Sequence, residues 1–122
     1  MFEVAYETTF CSTHRLTRGA EALEPLHGHD WRVEVVAAGE TLDEIGVVVD
    51  FEVLKSVVSE IASRFHYADM NGHPAFAGQS PSAEAVARYF FDQTRLGMKE
   101  AGPLLRRVRV WEAPGCSATY LA

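Results

Sequence analysis

Residues 2–14 alternate. Phe2, Val4, Tyr6, Thr8, Phe10, Ser12 and His14 fall on one side, and the odd positions between them are mostly more polar, the period of a half-buried strand. A second alternating run puts His27, His29, Trp31, Val33 and Val35 on one face and Asp30, Arg32 and Glu34 on the other. Residues 39–46 read as a polar turn, and 47–49 as a short apolar run. The period then lengthens. Phe51, Leu54, Val57, Val58, Ile61 and Phe65 recur at helical spacing behind Asp50, a suitable N-cap. Asn71-Gly72-His73-Pro74 interrupts the pattern. Ser80-Pro81 predicts a second helix start, with proline at the first helical position, and Val86, Ala87, Phe90 and Thr94 form its buried stripe. Gly102-Pro103 stops it. Alternation returns in Val108, Val110 and Glu112, and Pro114-Gly115 turns the chain into a last strand at 117–121.

The order is strand, strand, helix, helix, strand, strand. Grouped strands predict an α+β fold, with helices laid on one face of an antiparallel sheet. A length of 122 residues without repeats or linkers fits a single domain spanning 1–122.

Composition narrows the functional classes. With 48% hydrophobic residues, one modest core can form. The net charge of −6 and scattered basic residues argue against nucleic acid, which needs a concentrated cationic face. Arg106, Arg107 and Arg109 read as the solvent side of a strand. No apolar run approaches the ~20 residues that cross a bilayer, and the N-terminus lacks the pattern of a secretory signal, so the expectation is a cytoplasmic protein with no membrane partner. In that setting Cys11 and Cys116 are expected as free thiols.

Three histidines carry the chemistry. His27 and His29 are two apart on one strand and point the same way; His14 closes the first strand with the parity of its apolar face. Antiparallel pairing of these strands would bring all three imidazoles to one end of the sheet. Three nitrogen ligands with a fourth position open describe a catalytic zinc site, although ligand type alone also admits copper, iron or nickel.

Further motifs surround them. Residues 10–16 (FCSTHRL) and 26–31 (LHGHDW), then 46–51 (GVVVDF), Asn71, 74–76, 81–84 (PSAE) and 110–112 (VWE), occur in an order and at gaps that resemble the 6-pyruvoyl-tetrahydropterin synthase family, which includes the 6-carboxytetrahydropterin synthases of the queuosine pathway. The likeness spans almost the whole chain. It implies the T-fold: a four-stranded antiparallel sheet with two helices, closing into a barrel as a trimer and stacking as a dimer of trimers. It also implies a zinc-dependent lyase acting on a small-molecule pterin. By position, Glu112 would hold the pterin through paired hydrogen bonds, and the Ser82 hydroxyl would help bind its ring.

The resemblance breaks at the proton-transfer residues. The place of the usual catalytic cysteine, four before the first histidine of HGH, holds Leu23. Glu24-Pro25-Leu26-His27 is instead similar to a variant group in which a glutamate serves as base, cleaving the side chain of dihydroneopterin triphosphate to 6-hydroxymethyl-dihydropterin for folate synthesis. The bland alternative has Glu24 closing a loop or pairing with Arg15 or Arg18. Counting back from Asn71, the family's Asp-His pair falls on His66 and Tyr67; a one-residue slip makes it Phe65 and His66. His66 is the candidate second acid/base, or else a helix-end cap. Arg15 and Arg18 are candidate triphosphate contacts. Two readings follow: a pterin lyase using Glu24 and His66, or a zinc protein that binds a pterin or purine-like ligand without lyase chemistry. A purely structural zinc site is the third.

Overall fold

The computed structural model describes residues 1–122. Two long strands form its spine. β1 (Phe2–His14) and β4 (His27–Gly39) pair antiparallel along their whole length, from Phe2 opposite Gly39 to His14 opposite His27. β6 (Leu105–Ala113) adds to β4, and β7 (Cys116–Leu121) adds to β6, both antiparallel. The helices α1 (Phe51–Ser63) and α2 (Ala83–Gly97) lie on one face, as the grouped strands predict.

Packing follows the alternation. Phe10, Trp31, Val33, Val35, Val108 and Val110 point beneath the helices and meet Leu54, Val58, Ile61, Phe65, Val86 and Phe90 in one core. The other face of the sheet is polar. There Glu3 pairs with Arg107, Glu7 lies 3.6 Å from Arg32, and Trp111 has the Arg32 and Arg109 guanidinium carbons 3.6 and 4.5 Å from its ring centroid. Arg107 and Arg109 thus lie on the face opposite the core; Arg106 turns to the Pro103 carbonyl. Both cysteines are free thiols.

Three details depart from the sequence reading. The sheet has five strands, because β5 (Ala68–Asp69) joins the outer edge of β1 in parallel at Ser12 and Thr13. Two residues in the loop after α1 give no alternation to read. A small hairpin, β2 (Thr17–Arg18) with β3 (Glu21–Ala22), also fills the link from β1 to β4. Finally, α2 starts at Ala83, with Ser82 as N-cap accepting from the Ala85 amide at 3.1 Å. Ser80 and Pro81 precede it because they are engaged elsewhere: the Ser80 hydroxyl grips Thr17, and the Pro81 carbonyl meets His14. Asp50 does cap α1, accepting from Glu52 at 2.8 Å.

Candidate functional site

Register assembles the site. His14 lies opposite His27, and Ser12 opposite His29, so the end of β1 and the start of β4 place three imidazoles together. Ring centroids are 4.6 Å apart for His14 and His27, 4.7 Å for His27 and His29, and 5.6 Å for His14 and His29. β6 brings Glu112 into the same cluster, and one ligand atom from each of the four residues lies within 4.8 Å of the others. Trp31 floors the group, edge-on to His14 with centroids 4.8 Å apart and 6.0 Å from His29.

Backbone carbonyls settle which nitrogens face inward. A carbonyl only accepts, so His14 Nδ1 donates to Pro81 O at 2.8 Å, and His27 Nδ1 donates to Pro25 O at 2.9 Å. Their Nε2 atoms in the neutral rings therefore carry lone pairs. His14 Nε2 is buried and 2.5 Å from Glu112 Oε1, an approach of two acceptors that is stable only with a proton or cation beside them. His29 Nε2 is also buried and has no hydrogen-bond partner. Burial lowers the His29 pKa, with further lowering from His27 and His14 partly opposed by Glu112. His29 thus tends to stay neutral, as a ligand must. Three imidazoles oriented by carbonyls, with a carboxylate beside them, fit a divalent cation.

The remaining candidates divide. Glu24 reaches the cluster: Oε1 accepts from the Leu16 amide at 2.9 Å and lies 3.9 Å from His27 Nε2. It forms no ion pair with Arg15 or Arg18, so the loop-closing role and the approach to the histidines coexist. Ser82 stands beside Pro81, its oxygen occupied by the α2 cap but its proton free to be donated. His66 lies elsewhere. It follows α1 outside the helix, is exposed, and its Nδ1 accepts from the Cys11 amide on the outer edge of β1. Within one chain it is not among the residues gathered at His14, His27 and His29. Tyr67, beside it, is held at φ 57° with its amide on Cys11 O, and is 83% exposed.

The chain's match to other proteins agrees with this geometry. Residues 3–122 match the family model described as 6-pyruvoyl tetrahydropterin synthase. The chain belongs to that family. Among curated members, it is 30% identical over 126 residues to the 6-carboxy-5,6,7,8-tetrahydropterin synthase of Bacillus subtilis, covering 98% of this chain and 84% of that one. It is 28% identical over 109 residues to the dihydroneopterin monophosphate aldolase of Pyrococcus furiosus, covering 89% and 88%. The solved 6-pyruvoyl tetrahydropterin synthase of Caenorhabditis elegans superposes with a TM-score of 0.88 at 23% identity, covering 99% of this chain and 95% of that one. The family's T-fold is therefore this chain's fold, here with β5 as a fifth strand.

Sequence reasoning missed the residues that hold the site still. The carbonyls of Pro25 and Pro81 carry no side-chain signal. Asn71 reads from sequence as part of a loop motif, yet its amide clamps Arg15 on both sides, accepting from N at 2.8 Å and donating to O at 3.0 Å.

Proposed function

We propose that this chain is a zinc-dependent pterin lyase, with His14, His27 and His29 holding the metal, Glu112 and Ser82 binding the pterin, and Glu24 acting as base. The observation that carries this reading is the convergence of His14 Nε2, His27 Nε2 and His29 beside two carboxylates, Glu112 and Glu24. Two ligands of a tetrahedral zinc stand about 3.3 Å apart when each bond is about 2.0–2.1 Å. Glu112 Oε1 is only 2.5 Å from His14 Nε2, closer than two ligands of one tetrahedral zinc stand, which fits a carboxylate beside the metal rather than one committed to it. That leaves Glu112 to accept from the amino and ring N–H groups of a pterin, a charge-assisted pair that fixes orientation.

Bound zinc would supply Lewis acidity toward a hydroxyl on the pterin side chain. The protein's own groups do the rest. Pro81 and Pro25 keep His14 and His27 in the tautomer with an inward lone pair. Glu24 keeps one oxygen on the Leu16 amide and leaves the other to take a proton from the substrate side chain. The substrate class is dihydroneopterin phosphates or a close relative; the relatives' names, a 6-carboxy-5,6,7,8-tetrahydropterin synthase in Bacillus and a dihydroneopterin monophosphate aldolase in Pyrococcus, support a pterin of that kind. The glutamate-based site favours side-chain cleavage to 6-hydroxymethyl-dihydropterin.

Incubating zinc-loaded protein with dihydroneopterin triphosphate and monophosphate, then separating products, tests the reading. The expected product is the hydroxymethyl pterin, and Glu24→Gln lowers turnover by about 10²-fold or more, the usual share of a positioned base. The substitution is clean, because a glutamine oxygen can still accept from Leu16. Full activity of Glu24→Gln removes the base assignment. The position of His66 outside the cluster favours one second reading, a pterin-binding zinc protein without turnover; ligand binding with no product after long incubation would select it.

A further inference from the structure

His14 differs from the other two histidines in what turns its ring. The acceptor for His27 Nδ1 is Pro25 O, on the loop just before it. His14 Nδ1 donates instead to Pro81 O at 2.8 Å, across 67 residues of chain, and the His14 ring is fully buried. Its inward lone pair therefore depends on where a carbonyl in the approach to α2 points.

Proline cannot hold that carbonyl by itself. Pro81 has no amide N–H, so no main-chain donor of its own pins the segment. The pins sit on either side. Ser82 fixes the following end: its Oγ accepts from the Ala85 amide at 3.1 Å, and its carbonyl accepts from the Val86 amide at 2.9 Å. Ser80 fixes the preceding end. Its one hydroxyl accepts from the Thr17 amide at 2.6 Å and donates to the Thr17 carbonyl at 2.7 Å, closing on a single residue from both sides. Between His14 and Thr17, Arg15 is held by Asn71 and Leu16 by Glu24. Residues 14–17 and 80–81 are thus joined at two points, Thr17 to Ser80 and His14 to Pro81.

We infer that Ser80 is a positioning residue: anchored on Thr17, it aims the Pro81 carbonyl at His14 Nδ1 and so selects the tautomer whose Nε2 lone pair faces the cluster. A neutral imidazole carries one proton, and two acceptors compete for it here. Pro81 O stands at Nδ1, and Glu112 Oε1 stands at Nε2. With the carbonyl unaimed, the proton moves to the Glu112 side, and that tautomer presents no lone pair to a cation. The inference rests on the metal reading of His14 for its zinc arm alone; the tautomer belongs to the metal-free chain.

Ring-nitrogen NMR of the metal-free full chain at pH 8, above the usual imidazole range, reads the tautomer directly. Wild type carries the His14 proton on Nδ1. Ser80→Ala shows both tautomers, and its zinc affinity by chelator competition falls about tenfold, the lower end for loss of a ligand's supporting hydrogen bond. Ser80→Thr, which keeps a hydroxyl, retains the wild-type tautomer and affinity. Asn71→Ala loosens the same link at Arg15 and keeps the single tautomer. A proton on Nε2 in wild type, or on Nδ1 alone in Ser80→Ala, overturns the assignment. Equal mixing in Asn71→Ala or Ser80→Thr overturns it too, because the Ser80 hydroxyl is then not what aims the carbonyl. If wild type binds no zinc, the metal reading fails and the ring nitrogens alone decide the role of Ser80. Should Ser80→Ala not fold, hydrogen exchange in wild type takes its place: the Thr17 amide and the His14 Nδ1 proton must open together as urea is raised. A His14 proton that stays protected after the Thr17 amide has opened overturns the inference.

Discussion

At the residue scale, the histidine constellation was legible because strand parity and antiparallel pairing are nearly geometric rules. His27 and His29 must share a face, and antiparallel pairing of the two strands brings His14 alongside. What parity could not show is how each ring is turned. That depends on two proline carbonyls, and main-chain atoms leave no trace in residue identity. Tyr67 is illegible for a similar reason: its left-handed backbone goes with an amide bonded to the Cys11 carbonyl on another element, not with its own preference. The lowered His29 pKa yields a test. In metal-free protein the unfolded chain binds a proton at His29 near the usual 6.5, whereas the folded chain resists it. Stability therefore rises with pH between the depressed folded value and 6.5, and falls on acidifying through that window. Urea midpoints taken from pH 7.5 down to 5 should decline in wild type and decline less in His29→Gln. Parallel profiles would show that His29 does not contribute.

At the element scale, the long strands and α1 declared themselves through period and cap, while the start of α2 did not. Ser80-Pro81 and Ser82 are both plausible starts from local chemistry, and contacts with Thr17 and His14 decided between them. Local rules lose wherever a distant partner claims the capping group. The end of α2 depends on a close approach. A Cβ on Gly102 would lie 2.5 Å from the Arg95 carbonyl oxygen, where backbone must shift rather than a side chain swing away. Gly102→Ala should therefore cost about 1–3 kcal/mol, the range for overpacking, with the histidine cluster unchanged. Denaturant unfolding measures the loss, and zinc stoichiometry checks the site; wild-type stability would show that the turn relaxes freely.

At the scale of the whole molecule, the sheet leaves two strands only partly used. β5 covers β1 at Ser12 and Thr13, so the earlier part of β1 has an open edge, and β7 has an open edge at the far side of the sheet. Such edges invite pairing with further copies, and the charged face carrying Glu3, Glu7, Arg32 and Arg107 is built to face water or a polar interior rather than a second apolar layer. No helix is long and apolar enough to cross a membrane. Topology explains why chemistry collects at one end: β1, β4 and β6 all bring their histidine or glutamate to the same rim.

Trp31 gives that rim a built-in optical reporter. Its indole is fully buried and edge-on to His14 and His29, whereas Trp111 lies on the opposite face between two arginines. With Trp111→Phe, emission comes from Trp31 alone, the other tryptophan of the chain. Titrating in zinc should shift its intensity in step with occupancy, and copper(II) should quench it. A flat emission trace despite stoichiometric metal uptake would mean that the ion binds away from these imidazoles.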